Sequence, residues 1–142
     1  MLDAGKIIFM APTRPLISQQ CAACIHILTL PPDTCIILDG HTPAPQRATH
    51  YQTHNFIFCT PQTLQNDLEN GVLDGRSVVC VCVDEAHKAT SNYAYTCIIA
   101  HLAQRQQAFR VLALTATPGR DMKSIQQVRV WKIVYVCVCG YV

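Results

Sequence analysis

Val78-Val79-Cys80-Val81-Cys82-Val83-Asp84-Glu85-Ala86-His87-Lys88 sets the architecture of this chain. Its six leading residues are apolar without a break. That is the pattern of a strand buried on both faces of a parallel sheet, not of one alternating between core and water. The run stops at two adjacent carboxylates, Asp84 and Glu85, with His87 close behind. Open parallel sheets carry their chemistry outside the carboxyl ends of their strands, which is where these acids fall. One carboxylate there can hold Mg²⁺ through hard oxygen ligands while its neighbour orients an attacking water. The other reading is a strand that ends in a solvated acidic turn, and four letters alone do not choose between them.

Working outward, the same alternation of strand and helix recurs on both sides. Upstream, Lys6 to Met10 is a short apolar strand that runs into Ala11-Pro12-Thr13-Arg14-Pro15, where two prolines force a break. A helix then carries Leu16 to about Leu28 and is ended by Pro31-Pro32-Asp33. Cys35 to Leu38 is a second strand closed by Asp39-Gly40, and His41 to His54 reads as a loop with a short polar helix. Phe56 to Cys59 is a third strand; it meets Thr60-Pro61-Gln62 and a helix marked by Leu64, Leu68 and Val72 that ends near Gly71. Downstream, Tyr95, Ile98, Ile99 and Leu102 fall on one helical face. Val111 to Leu114 is a further strand leading into Thr115-Ala116-Thr117-Pro118-Gly119, and Asp121 to Val128 starts another helix. The expected class is α/β with a mainly parallel sheet.

At 142 residues, half of them hydrophobic and 14% charged, the chain is long enough for one core and too apolar to be disordered. No apolar run approaches the roughly 18 residues that a bilayer span needs. Met1 to Lys6 lacks the basic start and apolar run of a secretory leader. A net charge of +2 permits nucleic-acid binding without arguing for it. The nine cysteines form an odd set that points to a reducing compartment. Cys21, Cys24, Cys59, Cys80 and Cys82 fall inside predicted helix or strand, as small hydrophobes do. Cys21-x-x-Cys24 with His26 is half a zinc site lacking a second pair. Ile17, Cys21, Cys24, Ile25 and Leu28 follow helical periodicity and are expected on a core face.

Three predicted strands end in small or polar residues suited to phosphate and metal work: Thr13-Arg14, Thr60-Pro61-Gln62 and Thr115-Ala116-Thr117. Taken singly, each is a helix-capping turn. In this order, with the Asp84-Glu85-Ala86-His87 strand, they resemble the first RecA-like domain of superfamily 2 helicases. More narrowly, they resemble the Fanconi anaemia group M and archaeal Hef family of DNA-junction translocases. Ala11 to Gln20 resembles motif Ia, and Thr60 to Leu68 resembles motif Ib. Val83 to Ala89 with Asn92-Tyr93-Ala94-Tyr95 resembles motif II, the Walker B strand in its DEAH-box spelling, and Leu112 to Gly119 resembles motif III. The resemblance covers residues 5–128 or so. It implies a P-loop-type parallel sheet with flanking helices, ATP and Mg²⁺ as cofactors, DNA as partner and a nuclear location. Asp84 would coordinate Mg²⁺ through water, Glu85 would polarise the attacking water, and His87 would sense the nucleotide. Thr115 and Thr117 would couple hydrolysis to strand movement, while Thr13, Arg14, Gly40, Thr60 and Gln62 would grip phosphates on the nucleic-acid face.

The chain departs from the family pattern in two places. No Gly-x-x-x-x-Gly-Lys-Ser/Thr phosphate loop occurs in it, and Asp3-Ala4-Gly5-Lys6-Ile7 has only the Gly-Lys pair. By the resemblance, the strand carrying that loop lies beside the Val111–Leu114 strand, whose edge is therefore expected to be unpaired. Positioning of the phosphates is nearly all of this catalysis. The expectation is that these residues alone neither hydrolyse ATP nor unwind DNA. The second departure is the tail at 129–142, whose alternating Val and Cys fit either an edge strand or read-through beyond an exon boundary, the latter preferred. Domain bounds of 1–128 and 129–142 follow. Two other readings stay open: a duplex-RNA helicase of the Dicer or innate-sensor type, and a non-catalytic binding fragment.

Overall fold

Six parallel strands form a single sheet in the order β2-β3-β1-β4-β5-β6 in the computed structural model, which describes residues 5–86, 94–105, 108–115 and 134–138. The strands are β1 (Lys6–Met10), β2 (Cys35–Leu38), β3 (Phe56–Cys59), β4 (Val78–Val83), β5 (Arg110–Thr115) and β6 (Val134–Val138). The helices are α1 (Arg14–Leu28), α2 (Ala44–Thr53), α3 (Pro61–Glu69) and α4 (Ala94–Arg105). Every predicted strand between residues 6 and 114 is present, and the polar stretch after Gly40 holds α2 as its short helix. The helix expected from Asp121 lies outside the described residues.

The unbroken apolar run of β4 is explained by its place in the middle of the sheet, with β1 on one side and β5 on the other. Alternate residues of the strands feed two cores. Ile8, Met10, Val81, Val83, Val111 and Ala113 pack with Tyr51 of α2, Leu64 and Leu68 of α3, and Tyr95, Ile98 and Leu102 of α4. Phe9, Phe58 and Cys82 pack on the opposite face with Ile17 and Cys21 of α1. The rings of Phe9 and Phe58 stack at 5.6 Å there. Near the start of β4 the pairing slips, Lys6 facing Val78 and Ile7 facing Cys80, so that Val79 bulges outward. A Cβ at Gly5 would overlap the Val79 side chain, so this close approach requires glycine.

Two expectations need correction. The outer edge of β5 is not unpaired: Val111 to Thr115 run in parallel register with Val134 to Val138. A valine-rich segment of high β propensity takes the exposed edge, as the tail's alternative edge-strand reading required. Leu28 does not reach the core either. It is 55% exposed, and its neighbour Ile27 74% exposed. Helical periodicity places Leu28 on the stripe of Ile17 and Cys21, but Cys24 and Ile25 are the last residues of α1 that pack against that core. Pro31 and Pro32 do not end the helix; a left-handed Thr29 does, with the Pro32–Thr34 turn following.

Candidate functional site: the carboxyl rim of the sheet

Because all pairings are parallel, every strand ends on the same rim. The order along it is Asp39-Gly40 after β2, Thr60 and Gln62 after β3, Thr13 and Arg14 after β1, Asp84 and Glu85 after β4, and Thr115 closing β5. At the usual interstrand spacing, Gly40 and Asp84 lie about 15 Å apart along this row. The structure thus groups five predicted nucleic-acid residues on three adjacent strands and sets the acid pair on the next one. Thr115 ends β5, its side chain outside the description; His87 and Thr117 also lie outside the described residues.

Asp84 is held from several directions. Its backbone N–H donates to the Met10 carbonyl at 2.9 Å, and its own carbonyl accepts the Tyr95 hydroxyl of α4 at 2.9 Å. One carboxylate oxygen accepts the Glu85 amide at 2.9 Å, and the other faces the Gln20 amide of α1 at 3.4 Å. Both acids stay partly exposed on the rim. Glu85 has a φ of 53°, in the left-handed region that costs an ordinary residue about 1–2 kcal/mol. Non-glycine residues held there cluster at functional sites.

On the neighbouring strands, Thr13 occupies the N-cap of α1 without its side chain capping the helix. The N–H groups of Arg14 and Leu16 at the start of α1 therefore lack that cap, and Pro15 between them has no N–H to offer. Arg14 is 62% exposed at its side chain and forms an ion pair with Asp39 at 2.7 Å. Burial pushes the Asp39 carboxyl up, yet the His41 and Thr42 amides and the Arg14 guanidinium outweigh it and hold it below its ordinary range. Thr60 spends its hydroxyl on α3, accepting the Thr63 amide at 3.4 Å and sharing a 2.9 Å bond with the Thr63 hydroxyl. Gln62 is exposed beside it. A Cβ at Gly40 would meet nothing within 4 Å. The protein's own packing does not demand glycine there; the open space faces outward.

Sequence reasoning missed Gln20, Tyr95 as a partner of Asp84, and Asp39. Asp39 was visible as the acid closing β2. Gln20 and Tyr95 reach Asp84 only because α1 and α4 cross opposite faces of the sheet, which no local pattern reports. Among the described residues, no group of three or more His, Cys, Asp or Glu side chains is placed to hold a metal.

The family model described as DEAD/DEAH box helicase matches residues 1–125. The chain belongs to this family. It is 46% identical over 124 residues to the ATP-dependent DNA helicase MPH1 of Coccidioides immitis, covering 87% of this chain and 11% of that protein. It is 44% identical over 122 residues to the ATP-dependent DNA helicase fml1 of Schizosaccharomyces pombe, covering 86% and 15%. It is also 44% identical over 125 residues to the Fanconi anemia group M protein homolog of Mus musculus, covering 88% and 6%. The chain thus spans between 6% and 15% of the length of these three relatives. The helicase domain of Pyrococcus furiosus Hef superposes with a TM-score of 0.82 at 29% identity, over 95% of this chain and 29% of that one. A DEAD box protein of Methanococcus jannaschii has a TM-score of 0.72 at 18% identity over 94% and 36%, a likeness of fold alone.

Proposed function

We propose that this DEAD/DEAH box domain supplies the acid pair and part of the strand-gripping face of an ATP-dependent DNA helicase or translocase acting on branched or forked DNA. The observation that carries this reading is the order of the rim. Gly40, Thr60 with Gln62, and Thr13 with Arg14 sit on three consecutive strands, and Asp84 and Glu85 follow on the fourth. Contacts that grip phosphates rather than read bases suit a motor that runs on any sequence. The names of two relatives, ATP-dependent DNA helicases, support DNA as the nucleic acid, while repair and a nuclear setting rest on the family resemblance alone. Among the described residues, no helix is long and apolar enough to cross a membrane.

The donor set at Asp84 fits Mg²⁺: it offers one partly exposed carboxylate, and Mg²⁺ with its waters and nucleotide phosphates asks for little more from a protein. When bound with ATP, the ion would neutralise charge on the transferred phosphate. Asp84 would hold it through water, with the Gln20 and Glu85 amides fixing the carboxylate's direction. Glu85 would polarise the attacking water from a backbone held in the left-handed region. His87, Thr115 and Thr117 are assigned to nucleotide sensing and coupling by resemblance.

The 142 residues contain no Gly-x-x-x-x-Gly-Lys-Ser/Thr sequence, whose backbone N–H groups and lysine would cradle the phosphates. We therefore expect them to show no ATP hydrolysis above that of Glu85→Gln. Turnover that Glu85→Gln abolishes would refute this. The substrate is tested by competing forked DNA against duplex RNA for the chain. Preferential release by forked DNA supports the reading, preference for duplex RNA moves the chain to the RNA branch, and binding of neither leaves it without a nucleic-acid role.

A further inference from the structure

The described residues contain one acidic side chain with no solvent exposure at all, Asp67 on α3. Its oxygens accept Arg47 Nε at 3.1 and 2.8 Å, Arg47 Nη2 at 2.5 Å and the Tyr51 hydroxyl at 2.8 Å. Arg47 is raised above its ordinary range, first by that hydrogen bond to Asp67. A buried pair of this kind seldom adds net stability, since well-packed apolar residues can replace it at little cost. What apolar residues could not reproduce is the remaining bond: Arg47 Nη1 donates to the carbonyl of Thr42. Thr42 belongs to the rim turn after β2. Its amide and that of His41 donate to the Asp39 carboxylate at 3.3 and 2.8 Å, and the other oxygen of Asp39 takes Arg14.

A continuous polar chain therefore runs from α3, through Asp67, Arg47, Thr42 and Asp39, to Arg14 at the start of α1. It joins the three elements that carry Thr60 and Gln62, Gly40, and Thr13 and Arg14. We propose that Arg47 and Asp67 are positioning residues for the nucleic-acid face. Their buried ion pair fixes the Asp39–Thr42 turn against α3, so that the three phosphate-gripping elements keep one spacing. Phosphate contacts set the register of a strand on a protein, and register is lost when the contacts move relative to each other. The proposal rests on the reading of the rim as a DNA-binding face.

The test is fluorescence anisotropy with a labelled oligodeoxythymidylate on the whole chain, with melting temperature and amide exchange at His41 and Thr42 followed in parallel. Three variants are compared: the paired change Arg47→Met with Asp67→Leu, Arg47→Lys, and Tyr51→Phe. The paired variant also leaves the buried Tyr51 hydroxyl without its acceptor, so it is expected to melt up to about 10 °C below the parent. It should bind roughly three- to tenfold more weakly, with a shallower salt dependence and faster exchange at His41 and Thr42. Arg47→Lys keeps the charge opposite Asp67, but one ammonium cannot span both Asp67 and the Thr42 carbonyl, so it should weaken binding likewise. It also serves if the paired variant fails to fold. Tyr51→Phe removes a bond to Asp67 and leaves the Thr42 link intact, so it should lower the melting temperature and leave affinity unchanged. Parental affinity in the Arg47 variants would overturn the proposal, as would a Tyr51→Phe loss of binding equal to theirs. No binding by the parent chain would instead remove the DNA-face reading itself.

Discussion

Asp67 and Asp84 are the same side chain put to opposite uses. Asp67 lies in the last turn of α3 with no exposed surface, and a guanidinium and a phenol saturate its oxygens. Asp84 stands at the end of β4, partly exposed, with one short bond from the Glu85 amide and a longer one from Gln20. Neutralisation makes the first charge a structural joint. Partial solvation leaves the second available to something the protein does not itself contain. The two regions are thus separated by how far each charge has been satisfied internally, and this difference can be measured.

The largest expected effect is on the joint. Asp67→Ala strands the Arg47 guanidinium and the Tyr51 hydroxyl without an acceptor, and should cost about 3–5 kcal/mol in urea unfolding. Asp84→Asn should cost less than about 1 kcal/mol in the same assay. Equal losses at the two sites would erase the distinction. Next is Tyr95→Phe, which removes the hydroxyl bonded to the Asp84 carbonyl; about 1 kcal/mol should be lost if that bond holds the acid in place. Glu85→Gly should run the other way. It relieves the left-handed φ of 53°, so thermal unfolding should show no loss and a gain of up to about 1 kcal/mol, although the change deletes a site carboxylate. A marked destabilisation would mean that Glu85 serves the fold.

The smallest effect concerns Arg14 and Asp39. Folding lowers the Asp39 carboxyl from its ordinary 3.8, so the pair contributes above that pH and its contribution is lost as pH falls through the lowered value. The Arg14 side chain is 62% exposed, so solvent screens the pair and the stability gain is slight. A carboxyl titration by NMR should put the Asp39 midpoint below 3.8 and bring it towards 3.8 in Arg14→Ala.

Most of the sheet was legible in the sequence because central parallel strands must be apolar on both faces. The runs at β1, β3 and β4 leave no other reading. The acid pair was legible for the complementary reason, since a central strand that ends abruptly in two carboxylates puts them on the rim. The surroundings of the site were not legible. Gln20 and Tyr95 meet Asp84 across the sheet, and Arg47 meets Asp67 between two helices, so each contact depends on crossings that no window of sequence contains. The cysteines were partly legible. Cys59 and Cys82 are buried as expected; burial raises the Cys59 thiol, whereas Cys82 is raised first by its hydrogen bond with Cys80 and then by burial. Cys80 goes the opposite way, to about 7, with the Cys82 thiol as its principal cause; that pairing follows from strand geometry and not from spacing alone. Leu28 was misread because periodicity reports which side a residue faces and says nothing of whether the core extends beneath it.

The rim is tested most directly by titrating labelled forked DNA with the chain and with two arginine variants. Arg14 stands on the carboxyl rim, whereas Arg76 is equally a surface cation but precedes β4 at the opposite end of the sheet, paired with Asp74 at 2.7 Å. We expect Arg14→Ala to weaken binding several-fold and to lower the slope of log affinity against log salt by about one. Arg76→Ala should leave both unchanged. Equal losses in the two variants, or binding indifferent to Arg14, would contradict a nucleic-acid face at the carboxyl ends of the strands.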